Sequence, residues 1–95
     1  MPAYVIAEVN ITHPEGYKAY TALVPATIEQ YGGRFLVRGG DAHVLEGDWP
    51  EVRRVVIEFP SAEAARKWWD SPAYEKPKAL RRANSEGRLI LLEGV

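Results

Sequence analysis

Two hydrophobic periods take turns along this chain, and their order restricts its topology more than any single motif. Ala3–Ile11 (AYVIAEVNI) steps by two: Val5, Val9 and Ile11 are apolar while Glu8 and Asn10 interrupt the alternate set, which predicts a strand. Tyr17, Tyr20, Val24, Ile28 and Tyr31 then recur at steps of three and four, one stripe of an amphipathic helix. Pro14 and Glu15 are start signals. Thr12-x-x-Glu15 fits a capping box, but a residue before proline avoids its neighbour's helical angles, which moves the cap to His13. Pro25 predicts a kink or break, since an interior proline costs a helix about 3 kcal/mol. Gly32-Gly33 stands where a helix stops in a left-handed turn.

The two-step period returns from Arg34 to about Glu46, with Gly39-Gly40-Asp41 predicting a bulge or bend inside it. Gly47-Asp48-Trp49-Pro50 then makes a hairpin-like connection to a strand over Arg53–Phe59. Ser61 caps a second helix, with Glu63 in its first turn and Ala62, Ala65 and Trp69 as its buried side. Ser71-Pro72 restarts a helix toward Arg82 that Pro77 must distort, and Arg88–Glu93 (RLILLE) is the last strand. The order βαββαβ describes two split βαβ units. With right-handed crossovers they give one α+β domain over residues 1–95, a ferredoxin-like sandwich with an antiparallel sheet ordered 4-1-3-2 and both helices on one face.

Strand parity says which side each residue faces. The odd set Val5, Ala7, Val9, Phe35, Val37, Val55, Ile57 and Phe59 is uniformly apolar and belongs under the helices. The even set mixes Tyr4, Ile6, Leu36 and Val56, with Ile90 and Leu92, among Glu8, Arg34, Arg38, Arg54 and Glu58. Exposed together, those apolar side chains exceed what a soluble monomer usually shows, so a homodimer related by two-fold symmetry is expected. Glu8, Arg38 and Glu58 share that parity on neighbouring strands. Two readings stand: a structural ion-pair network, or a site where one carboxylate is a general base and Arg38 anchors an anionic substrate.

Other chemistries find less support. The glycine pairs of YGGRFLVRGG lack the Lys-Ser/Thr and the strand-to-helix junction of a phosphate loop. His13 and His43 have no second ligand at metal spacing, cysteine is absent, and no Gly-x-Ser-x-Gly elbow occurs, so neither a metal nor another cofactor is expected. A net charge of -1 gives no field for nucleic acid, and the cations from Lys76 to Arg88 fit the ordinary response to a helix C-terminus. No apolar stretch reaches membrane length and the start has no signal-peptide pattern, so a cytoplasmic protein without membrane attachment is expected. Tyr17, Tyr20, Trp68, Trp69 and Tyr74 lie on the helical layer either as core or as the lining of a small-molecule pocket, for which Tyr20, Trp68 and Tyr74 are the candidates. Trp49, in a loop, either closes such a pocket or docks on a partner.

AYVIAEVN, YGGRFLVRGG, LEGDW, EFPS, AARKWWDSPAYE and GRLILLEG, spread from Ala3 to Gly94, resemble the domain of unknown function 1330 family of the dimeric α/β-barrel superfamily. The resemblance implies two ferredoxin-like units placing their sheets face to face. Superfamily relatives include cofactor-free monooxygenases, isomerases, haem enzymes and regulatory ligand-binding domains. It therefore implies either an oxygenase- or isomerase-like enzyme without a metal, or a non-catalytic binding or assembly module with a structural polar interior.

Overall fold

The alternating segments fold as their periods require. In the computed structural model, which describes residues 1–95, the order is β1 (Ala3–Ile11), α1 (Pro14–Gln30), β2 (Arg34–Arg38), β3 (Arg53–Phe59), α2 (Ala62–Trp69), α3 (Pro72–Asn84) and β4 (Ser85–Glu93). The four strands form one sheet ordered β2-β3-β1-β4 with every neighbouring pair antiparallel. That is the expected ferredoxin-like sandwich. No helix is long and apolar enough to cross a membrane.

Caps and stops behave as read. Ser61 and Ser71 accept hydrogen bonds from the Ala64 and Tyr74 amides at 3.1 and 3.2 Å. His13 occupies the cap position of α1, but its side chain caps nothing and bonds Thr12 Oγ1 instead, so the capping box is absent. Gly32, at φ +76°, ends α1 with its amide on the Glu29 carbonyl.

Four expectations are corrected. The break allowed for at Pro25 does not occur, and α3 also continues past Pro77, because packing on the sheet outweighs one missing hydrogen bond in each. β2 ends at Arg38 instead of Glu46, and residues 39–52 form a largely exposed loop whose three glycines and Pro50 disfavour a ladder. β4 begins at Ser85, three residues before Arg88, continuing its pairing with β1 to Ile11. The buried tryptophan of α2 is Trp68, 1% exposed, while Trp69 is half-buried.

Beneath the helices, Val5, Ala7, Val9, Val55, Ile57 and Phe59 meet Tyr20, Val24, Ile28, Trp68 and Tyr74. Trp68 stacks on Tyr74 at 4.2 Å between ring centroids and gives its indole N–H to Thr27 Oγ1 at 3.1 Å. Burial of such a ring is worth a few kcal/mol, about 3 to 5 on truncation to alanine, and the bonded N–H removes the usual penalty. The other face of the sheet is bare. Tyr4, Ile6 and Val56 are only half-buried there, and Leu36, Ile90 and Leu92 are 46%, 57% and 46% exposed.

Candidate ligand-binding crevice

A single inserted residue decides what this site contains. β2 and β3 pair Arg34 with Glu58 and Phe35 with Ile57, but the next pair is Val37 with Val56, leaving Leu36 as a bulge. Every later side chain on β2 changes face. Val37 turns to the bare face, where it is 40% exposed, and Arg38, opposite Val55, turns under the helices. Both positions reverse the expected parity.

The expected trio is thereby separated. Glu8 remains on the bare face between Arg54, 3.1 Å away, and Arg88, 2.6 Å away, while Glu58 accepts from Arg34 at 2.8 Å. Hydrogen bonds from Arg88 and then Arg54 hold the Glu8 carboxyl below the usual carboxylate range, opposite to what a general base near neutral pH needs. Arg38 instead donates from Nη2 to the Thr21 carbonyl at 3.3 Å and lies 4.6 Å from the Phe35 ring centroid. That carbonyl lacks its normal helical donor because residue 25, four places on, is proline.

Arg38 joins a crevice between the sheet and the helices. α1 supplies Tyr17 and Tyr20, α3 supplies Arg81, and β3 supplies Arg53, which falls on the helix side because it pairs with Val9. The Tyr74 hydroxyl bonds that of Tyr20 at 3.1 Å, and Arg81 Nε reaches the Tyr74 hydroxyl at 3.4 Å. Arg81 is 5% exposed, yet none of the ion pairs of the molecule includes Arg38, Arg53 or Arg81. Arg53 Nε is buried with no hydrogen-bond partner at all. Gly39, at φ +71°, approaches the Arg53 guanidinium so closely that a Cβ there would clash with it.

Burial pushes the Tyr17 and Tyr20 hydroxyls upward; for Tyr20 the neighbouring Tyr74 adds to it, and for Tyr17 the charges of Arg53 and Arg81 oppose it. Both phenols are therefore neutral at ordinary pH. No carboxylate, imidazole or thiol lines the crevice, so it offers donors and no base. The enclosed space is about 30 Å³, against the ~300 Å³ of a ready-made pocket for a drug-sized ligand.

Of the expected pocket residues, Tyr20 and Tyr74 meet here, and Trp68 lines the floor with its polar atom spent on Thr27. Arg53, Arg81 and Tyr17 were not singled out as a group, although signals existed. Arg53 continues the parity of Val55, Ile57 and Phe59, and Arg81 lies seven residues after Tyr74, two turns along one helix face. Trp49, 57% exposed, sits in the loop away from the crevice, bonded to the Glu46 carbonyl and 5.5 Å from the Arg54 guanidinium. His13 and His43 are both exposed.

A family model described as "Domain of unknown function (DUF1330)" matches residues 2–95. No curated protein matches the sequence. Among solved structures, a protein of unknown function from Rhodopseudomonas palustris is 23% identical with TM-score 0.80, the match covering 99% of this chain and 82% of that one. A dimeric ferredoxin-like protein of unknown function from Jannaschia sp. is 10% identical with TM-score 0.74, covering 99% and 100%. SnoaB, a cofactor-independent oxygenase from Streptomyces nogalater, is 15% identical with TM-score 0.66, covering 99% and 93%. At these identities the likeness is one of fold.

Proposed function

The chain belongs to the domain of unknown function 1330 family, and from that premise we propose that it is a cytoplasmic homodimer that binds a small organic molecule in the crevice of each protomer. The observation carrying this reading is one buried polar donor without a partner, Arg53 Nε, in a crevice lined mostly by apolar side chains. Buried polar groups are almost always satisfied, and one left over is commonly explained by a partner that arrives later. Tyr20, backed by the Tyr74 hydroxyl bonded to it, is assigned to binding, with Arg38 at the mouth and Trp68 as an apolar wall.

The reaction class follows from what the lining lacks. With no base near neutral pH and no cation-binding donor set, chemistry here would depend on the ligand's own ionised form, held by guanidiniums and phenols. SnoaB, of like fold, is an oxygenase independent of cofactors, which is consistent with an oxygenase-like enzyme more than with an isomerase needing a protein base. Fold alone selects neither.

One observation favours a second reading. The crevice is nearly filled, as a non-catalytic assembly module with a structural polar interior would have it. A thermal-shift panel of phenols, enols and small acids separates the two, because ligand at roughly 100 times its Kd adds about 2.7 kcal/mol of stability. Stabilisation that disappears in Tyr20→Phe supports the binding reading. A flat response across the panel leaves the assembly module.

A further inference from the structure

The polar atoms of the crevice are unbalanced, and the imbalance specifies a ligand class. Three guanidiniums present up to five N–H donors each, yet the acceptors beside them are the Thr21 carbonyl and the hydroxyls of Tyr74 and Tyr17, none of them charged. A buried cation without a counter-charge is expensive, and here Arg81 is buried with no carboxylate paired to it. Arg53 has a buried, unbonded Nε, and its charge and that of Arg81 both act on the Tyr17 phenol. Acceptors and negative charge are missing together.

We infer, resting on the small-molecule reading above, that the crevice takes an organic carboxylate whose head seats between Arg53 and Arg81 while Arg38 moves aside to admit the rest of the molecule. A planar carboxylate matches the paired N–H donors of a guanidinium better than any neutral group of its size. The enclosed 30 Å³ suits the head alone. Room for the body requires Arg38 to swing out, and its side chain is exposed and tethered only by one long bond of 3.3 Å and the Phe35 ring. A carbonyl freed by Pro25 thus serves as a latch for the closed mouth.

The test uses the full chain with matched acids and amides: acetate against acetamide, benzoate against benzamide. Binding is followed by thermal shift and by the Nε–H resonance of Arg53 in the nitrogen-proton spectrum. The acids should move that resonance and raise Tm, the amides should do neither, and Arg53→Met should weaken benzoate roughly tenfold or more. Arg53→Lys, which keeps the charge and loses the fork, should also weaken it and guards against a methionine variant that fails to fold. Equal responses to acids and amides overturn the ligand class while leaving the small-molecule site standing. Acids that bind without moving the Arg53 resonance, or bind both variants undiminished, overturn the placement. Silence from all four compounds overturns the carboxylate class, and the phenols and enols of the wider panel then decide the small-molecule reading separately.

Discussion

Glu8 shows how a charged residue in a ligand-like position can be committed to structure. Two arginines bond its carboxylate, from β3 and from β4, so the side chain ties the two neighbours of β1 together across the bare face. Its folded pKa lies below the ordinary 4.5. An acid depressed in the folded state stabilises it fully above the unfolded pKa, and that contribution is lost as pH falls through the folded pKa. Wild type should therefore lose Tm faster than Glu8→Gln as pH drops from about 5 to about 3, the two converging in acid. Parallel melting profiles over that range would mean that the pair of arginines does nothing for the fold. Arg81 is the opposite case at the same scale. With Lys78 and Arg82 it reads as an ordinary response to a helix C-terminus, but its position two turns after Tyr74 places it under the helix. Composition hid it, and periodicity would have found it.

Among the elements, order, helix caps and strand pairing were legible because each follows from local signals: the period, the capping serines and the stop glycines. The site was less legible because it depends on β2, where one bulged residue overrides parity. Sequence places a bend at Gly39-Gly40, where the chain actually leaves the sheet, while the inserted residue is Leu36, an ordinary strand former with no local mark. Pro25 was legible as a defect and not as a device. Its missing N–H leaves the Thr21 carbonyl for Arg38, so helix and strand are linked by a bond that a regular helix would exclude. Pro25→Ala should restore the internal bond and raise stability by about 1 to 2 kcal/mol in urea unfolding, the helical gain exceeding the lost stiffness of the unfolded chain. The same change should loosen Arg38 and make the crevice easier to enter, seen as faster benzoate association. A less stable variant would show that the helix had already accommodated the proline.

For the molecule as a whole, the sheet has one finished side and one unfinished side. The layer of helices and sheet is only 16 Å through its thinnest axis, and the bare face carries a continuous apolar set in which Ile6 pairs with Ile90 and Tyr4 with Leu92 across adjacent strands. Glu8 with Arg54 and Arg88 borders that set, which suits a face whose middle is dry and whose edge is polar. A second copy seated there would cover Leu36, Val37, Ile90 and Leu92 at once. Ile90 is the informative position because, at 57% exposure on an outer strand, it can be changed without disturbing the core of one chain. Ile90→Glu places an unpaired charge in the apolar patch and should weaken association by about 3 kcal/mol, roughly a hundredfold. Sedimentation should then move from twice the 10.7 kDa chain mass toward that mass, with far-ultraviolet circular dichroism unchanged. Wild-type Tm should rise with protein concentration, and the variant's should not. A wild type that sediments as one chain at every concentration, melting at the same temperature throughout, would leave this face open to water and remove the twin from the account.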